Sequence, residues 1–408
     1  MSAVGDTRKV NTSFDHHSSD IAVDPYPHYK SMRDQCPIVW SDAYQGFWVF
    51  LGYQAVWNAS RDDATFLSSP PGVGIPDYPI RPQIPLETDA PMTQKLRAIL
   101  HHHFSPAAVQ RLEPTIRELA NELVDAFVAK GECDFIVDFA QPLPARTVLR
   151  MLGYEEHRWA EFVDLIHTVV HGVTSDPDGA FTAAFALYEE IKGNIAKRKE
   201  EGLGDDLVSV LLTATLDGEP LDEEIAIDYI LLLLFGGLDT TTSALGNALV
   251  RIQAHPEIRD QLLADASLLD DGIEEFLRLD SPVQALARTL AHDTEMCGQH
   301  LKQGDRALLV WAAADRDPEQ FPEPDELRLD RTGNRHVAFG VGLHRCLGSN
   351  LGRTMFRIML ETVLERLPDY ELTDDPAQYR FADASSVYGL HHLPARFSPQ
   401  APRHTASL

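Results

Sequence analysis

Phe339-Gly340-Val341-Gly342-Leu343-His344-Arg345-Cys346-Leu347-Gly348 is the stretch on which the reading of this chain turns. Three glycines bracket one cysteine, and an apolar helical pattern follows at Leu351, Met355, Ile358, Met359 and Val363. Glycine lets a backbone take positive φ and lets a flat ligand come close. A sulfur at the end of such a loop, just ahead of a helix, lies near N–H donors and the positive end of the helix dipole, which favour thiolate over thiol. A thiolate on a backbone stripped of side chains suits an axial ligand to a large flat metal cofactor. Read alone, Cys346 also fits a core thiol in a glycine-rich turn, since unliganded cysteine is among the most buried residue types.

The ten residues together resemble the haem-binding loop of the cytochrome P450 monooxygenases, Phe-Gly-x-Gly-x-His/Arg-x-Cys-x-Gly, at every specified position. The resemblance implies that Cys346 is the metal ligand, the proximal thiolate on the iron of haem b. Phe339, Gly340, Gly342, His344 and Gly348 would form the cofactor loop around it. The implied fold is mainly α with minor β sheets, a single domain in which the haem lies between a long central helix and the cysteine-loop helix.

Composition agrees with a large globular protein. The chain has 408 residues, 44% hydrophobic and 24% charged, with a net charge of −27. Such acidity argues against nucleic acid or an anionic membrane as a partner. Four scattered cysteines (36, 133, 297 and 346) make no disulfide-framework spacing and fit a reducing compartment. The N-terminus is polar, unlike a signal peptide, and the longest apolar run, Tyr229 to Leu238, is about half a bilayer span. The expectation is a cytoplasmic monomer. Residues 1–20 read as a mobile N-terminal segment, 21–400 as one domain and 401–408 as a tail. Seven prolines and two glycines crowd Pro70 to Pro91 into a long irregular loop, which in a compact protein is usually functional or disordered.

Three further segments stand in the order the resemblance requires. Glu275-Phe-Leu-Arg278, 68 residues before Cys346, matches the family's Glu-x-x-Arg helix motif. Residues at i and i+3 share a helix face and can pair. With Arg331 they would form a buried charged knot bracing the cysteine loop. The second segment is a helix from about Asp222 to Ala254, roughly 50 Å long and apolar nearly all round in its middle. Inside it sits Gly236-Gly-Leu-Asp239-Thr240. Two mid-helix glycines cost about 1 kcal/mol each against alanine, and a buried aspartate costs more unless partnered. Locally unfavourable residues in a cluster point to a functional site. The Thr240 hydroxyl is placed to bond the Gly236 carbonyl and bend the helix. By resemblance this is the oxygen-binding groove: Gly236 flanks the haem, and Asp239 and Thr240 are the catalytic pair that relays protons, with Asp239 connecting to solvent.

The third set comprises cations for the two haem propionates. Arg97, Arg288 and His344 match family positions, while Thr93 stands where many members have histidine. The run His101-His102-His103 does not suggest a second metal site, because consecutive helical residues point in different directions.

From Arg331 to Leu360 there are five arginines and no acidic residue. Arg345, Arg353 and Arg357 are expected to ring the thiolate side and attract an acidic ferredoxin-type donor. No flavin or iron–sulfur domain follows the last strands, so electrons are expected from a separate ferredoxin and its reductase. Pocket walls implied by the resemblance include Leu232, Val283, Leu286, Val387 and Tyr388, with Arg81 as a polar anchor. The expected activity is insertion of one oxygen atom from O2 into a small or medium hydrophobic substrate, terpenoid or aromatic. The competing readings are a hydrogen-peroxide-driven peroxygenase and a non-enzymatic haem-thiolate sensor or carrier. Asp239-Thr240 weighs against both, since neither needs a proton relay.

Overall fold

The computed structural model describes residues 10–69, 71–77, 81–172, 175–383 and 387–403. One six-stranded sheet joins the N-terminal part of the chain to residues 285–310, in the order β1-β2-β3-β6-β5-β4. Its strands are β1 (Asn11–Thr12), β2 (Ile38–Ser41), β3 (Phe47–Phe50), β4 (Phe66–Leu67), β5 (Ala285–Leu290) and β6 (Arg306–Val310). Leu308 lies opposite Val49 in the parallel β3–β6 pair and opposite Ala287 in the antiparallel β6–β5 pair. Every residue of Phe47–Phe50 is buried, which is why this strand reads as a continuous apolar run rather than an alternation.

The expectation of a loose segment over residues 1–20 is corrected for its described part; residues 1–9 lie outside the described residues. Asn11 pairs with Trp40, Phe14 is buried, and the Ser41 hydroxyl donates to the Phe14 carbonyl at 2.5 Å. The tail is also held as far as Arg403, whose guanidinium meets Glu365 and whose N–H donates to Asp125; residues 404–408 lie outside the described residues.

The remainder is mainly helical. The helices that place the site are α1 (Met92–Leu100), α2 (Pro106–Asp125), α3 (Pro142–Leu152), α4 (Trp159–Gly172), α5 (Pro177–Glu201), α6 (Glu223–Ala254), α7 (Leu269–Leu279) and α8 (Ser349–Arg366). The breaks have local causes. Gly153 ends α3 in the left-handed region at φ +74°, and Asp176 caps α5 by accepting from the Gly179 N–H.

Helix α6 begins where the sequence suggests: the Asp222 side chain accepts from the Glu224 N–H at 2.8 Å, and the helix ends at Ala254, two residues before Pro256. Its 32 residues span about 48 Å. Length and composition alone would let it cross a bilayer, yet Ile227, Ile230, Leu234, Leu245, Leu249 and Ile252 are fully buried within the protein. The two mid-helix glycines do different things. A Cβ on Gly237 would stand 2.7 Å from Val148 of α3, so its absence permits close helix packing, whereas a Cβ on Gly236 would meet nothing within 4 Å.

Candidate active site

The cysteine loop is held by its own backbone. Gly340 and Gly342 have φ of +63° and +76°, and a Cβ on Gly342 would lie 2.5 Å from the Ser60 carbonyl oxygen. These two positions therefore need glycine. The Cys346 N–H donates to the Phe339 carbonyl at 2.8 Å, closing the loop. Cys346 is exposed as a residue, while surrounding protein atoms desolvate its thiol. The donor N–H that the sequence reading expects is present but does not by itself set the protonation of the sulfur. Burial pushes its pKa up, and the Gly348 N–H together with Arg97, Arg345 and Arg353 only partly offsets that. Deprotonation at neutral pH needs a bound cation, which a metal supplies outright.

Two acidic residues of α7 brace the loop. Glu275 receives both Arg278 (2.8 and 2.9 Å) and Arg331 (2.9 and 3.0 Å), with side-chain exposures of 1%, 0% and 7%. Asn334 and the Arg328 N–H complete its shell. Neighbouring Glu274 straps both sides of the loop, taking His336 ahead of it at 2.8 Å and Arg353 behind it at 2.6 Å.

These pairs set an acid limit on stability. Burial alone would raise the Glu274 carboxyl, but hydrogen bonds from His336 and Arg353 outweigh it and hold the pKa at about 2. Buried Asp280 is likewise brought to about 2, by Arg251 and Arg316. A depressed carboxyl lends stability that is complete above its ordinary value, 4.5 for Glu274, and is lost as pH falls through about 2. Asp315 has the opposite sign: burial lifts it to about 6, so its contribution is complete below 3.8 and is lost as pH rises through 6. The melting temperature should therefore fall steeply below about pH 4.5. Glu274→Gln should remove on the order of 2–3 kcal/mol of that dependence; an unchanged acid limb in the variant would refute the assignment.

Arg97, Arg288 and His344 converge with no carboxylate hydrogen-bonded to them among the described residues, although the charge of Asp89 reaches Arg288 and His344. Arg97 donates to the Arg345 carbonyl at 2.5 Å, and among the described residues the Arg288 side chain donates only to the carbonyl of Ala287. Burial lowers both guanidinium pKa values, that of Arg288 to about 10. His344 is lowered to about 3 by burial and by the two arginine charges, and its buried Nδ1 has no hydrogen-bond partner among the described residues. Thr93 does not join them, as its hydroxyl bonds that of Thr88 at 2.8 Å.

Across the cleft, the Thr240 hydroxyl donates to the Gly236 carbonyl at 3.1 Å. Asp239 is 2% exposed and lies between two histidines of α4: His167 Nε2 meets one carboxylate oxygen and His171 Nε2 the other, each at 3.1 Å. Burial alone would raise Asp239, yet the hydrogen bonds and charges of the two imidazoles hold it well below the usual carboxylate range. The same contact outweighs burial at His167 and raises its pKa. Gly236 and Thr240 line a cavity of about 170 Å³. Leu232, Val283, Leu286 and Val387 line it too. Arg288 shares strand β5 with Ala285 and Leu286 of the wall while its charge reaches His344, so the cavity and the cysteine loop meet along that strand.

The cytochrome P450 family model matches residues 145–378. A steroid C26-monooxygenase of Mycolicibacterium smegmatis is 36% identical over 354 residues, covering 86% of this chain and 87% of that protein. This chain belongs to the cytochrome P450 family. Cytochrome P450 107B1 of Saccharopolyspora erythraea is 34% identical over 76% of each protein. The crystal structure of CYP109E1 from Bacillus megaterium in complex with testosterone superposes with a TM-score of 0.85 at 28% identity, covering 93% of this P450 and all of that chain. A mutant of P450 EryK in complex with erythromycin B gives the same TM-score at 29% identity, covering 95% of this P450 and all of that chain.

P450s bind haem b through a cysteine thiolate, and the residues present fit that group. Two propionates would satisfy the cluster of Arg97, Arg288 and the orphaned His344 Nδ1. A Cβ at Gly236 or Gly348 would meet nothing within 4 Å, which leaves open faces on the two sides of a flat ring.

Four expectations for this P450 are corrected. Asp239 does not itself reach solvent, because the histidine pair stands between. Arg81 is not a free anchor: it is spent on Glu224 and Asp228, at 2.8 and 2.6 Å, and stacks on Tyr188. Tyr388 is not among the cavity-lining residues; it packs on Tyr26 and Arg380, with its hydroxyl donating to the Val23 carbonyl. The thiolate-side face is less basic than its composition, since Arg353 is paired with Glu274, and Arg357 with Glu113 and Glu361. Arg335 and Arg345 keep no carboxylate partner among the described residues and flank a shallow depression beside Phe339.

Sequence reading missed three histidines. His167 and His171 carry a legible signal, two histidines four apart on an apolar helix. His16, buried against the cavity with its Nδ1 unpartnered, carries none.

Proposed function

We propose that this P450 hydroxylates an apolar substrate of steroid-like size, using O2 and electrons from an acidic ferredoxin. The observation that carries this is the placement of Gly236 and Thr240 in the wall of a mostly apolar cavity, with Asp239 next to them on the same helix. Haem b ligated by Cys346 supplies the oxygen chemistry. The chain's own residues do the rest. Leu232, Val283, Leu286 and Val387 bind and orient the substrate and exclude water. Arg97, Arg288 and His344 hold the propionates. His16 offers the cavity one buried polar atom, which suits a substrate with a single hydroxyl or keto group. The relatives that act on or bind steroids support this size class.

Proton delivery runs from solvent through His167 and His171 to the Asp239 carboxylate, and on to the reaction face beside the Thr240 hydroxyl. His167 and His171 each lie 3.1 Å from the Asp239 carboxylate, within the hydrogen-bond reach that general acid catalysis requires. The donor docks where Arg335 and Arg345 remain uncompensated, so its association weakens with salt. The protein works as a cytoplasmic monomer.

Thr240→Ala tests the reading. With ferredoxin, its reductase and NAD(P)H, product formed per NAD(P)H consumed should fall at least about tenfold while hydrogen peroxide rises. Unchanged coupling would remove Thr240 from the relay. Product formation with hydrogen peroxide alone at the same rate would favour the peroxygenase reading instead.

A further inference from the structure

The histidine pair on α4 supports more than a hydrogen-bonded carboxylate. His167 and His171 lie at i and i+4 and therefore share one helix face. Their rings stand 5.3 Å apart, and both aim Nε2 at Asp239 from 3.1 Å. The three candidate ligand atoms all lie within 4.8 Å of one another. Two imidazoles on one tetrahedral zinc, with bonds of about 2.0 Å, place their ring centres roughly 5 Å apart and their ligand atoms roughly 3.3 Å apart. The two histidine–carboxylate separations already fit, while the widest pair of ligand atoms, up to 4.8 Å apart, has to close by up to about 1.5 Å, a side-chain rotation, to share a cation.

We propose that His167, His171 and Asp239 form a binding site for a zinc-class divalent cation, separate from Cys346, whose occupation withdraws Asp239 from proton delivery.

The ligand set decides the class of metal. Two imidazole nitrogens and one carboxylate suit Zn2+, Cu2+ or Ni2+, whereas Mg2+ and Ca2+ prefer oxygen ligands. Two neutral imidazoles and a carboxylate carry a net negative charge that a dication neutralises. Each imidazole binds through Nε2, and any proton there leaves to water. A fourth position is available to water. His391 lies close by, its ring 6.0 Å from that of His171 and 6.3 Å from that of His167, and it can draw nearer as a further ligand. The side chains of His167 and His171 are 18% and 12% exposed, so the site has an outer edge through which an ion enters. The second half of the proposal rests on the relay role assigned to Asp239; the binding site itself does not.

The test uses haem-loaded protein freed of adventitious metal by a chelator. Zinc is added in competition with a fluorescent zinc indicator, and bound zinc is counted by elemental analysis after desalting. The expected result is one zinc per chain, with affinity at least tenfold weaker in His171→Gln. That variant keeps a hydrogen-bond donor towards Asp239 while losing the imidazole ligand, and its haem content reports whether it has folded. His102→Gln, in the exposed histidine run, is the control and should bind zinc like the wild type. Equal affinity in His171→Gln, or loss of the zinc in His102→Gln, would overturn the site. In turnover with ferredoxin and reductase, zinc should slow the wild type at least tenfold, a chelator should restore it, and His171→Gln should be insensitive. Zinc bound at His171 without any slowing would leave the site standing and remove Asp239 from the relay.

Discussion

Cys346→Ala should abolish turnover while leaving a folded protein that no longer shows the absorption signature of a thiolate-ligated haem in its carbon monoxide complex. The loop does not depend on the sulfur for its shape: the Gly340 and Gly342 conformations and the hydrogen bond from the residue-346 N–H to the Phe339 carbonyl are backbone properties. Arg97, Arg288 and His344 remain to hold propionates, so haem is retained at reduced occupancy. The missing element is the anionic ligand, and nothing nearby replaces it, because the other three cysteines lie on other elements. Cys133 shows the contrast: burial and the neighbouring Asp138 and Asp134 push its thiol far up, so it is an inert core thiol. Cys133→Ala should leave both signature and activity at wild-type levels. The same pattern predicts that haem binding to the wild type releases the Cys346 proton, because burial keeps the unliganded thiol protonated. Retention of the thiolate signature in Cys346→Ala, or its loss in Cys133→Ala, would place the ligand elsewhere.

The residues that were legible in sequence share a property: their meaning is set within one turn or one loop. Gly340, Gly342 and Cys346 define a loop by spacing; Asp222 and Pro256 bound a helix by capping chemistry; Thr240 reaches Gly236 four residues back. What was not legible depends on partners far away in the chain. Arg353 looked like a free surface cation until Glu274, 79 residues upstream, was seen to neutralise it. Asp239 looked solvent-linked until His167, 72 residues before it, was found to cover it. Tyr388 lies in the right segment for the cavity, but its ring is held by Tyr26 and Arg380, from distant parts of the chain, and its neighbour Val387 lines the cavity instead. Arg81 had two acids waiting one turn apart on α6. The charged knot was the long-range exception, because a family motif supplied the pairing that spacing alone could not.

That knot carries the largest structural effect. Glu275→Ala should cost about 3–5 kcal/mol, because it leaves Arg278 and Arg331 with buried, unpaired charges. Against a typical total of about 5–15 kcal/mol that is a large share, equivalent to a fall of roughly 4–6 °C in melting temperature for a chain of this size. The damage should also concentrate at the haem, since Arg278 donates to the carbonyls of Asp315, Pro324 and Glu326, and Arg331 to those of Pro322 and Glu323. Those carbonyls belong to the meander that leads into the cysteine loop. A variant that folds should therefore take up less haem per chain than its melting temperature alone would suggest. Arg278→Lys should be nearly as harmful, because one ammonium cannot span the donors of a buried guanidinium fork. Replacing all three charged residues with leucine removes the ionic penalty yet strands the same five carbonyls, so it should not restore stability, unlike buried ion pairs that bond only to each other. Glu275→Ala with full haem content and a melting temperature within about 2 °C of wild type would show that the knot is dispensable. Full recovery in the triple-leucine variant would show instead that its charges, and not its backbone contacts, decide the stability of the meander.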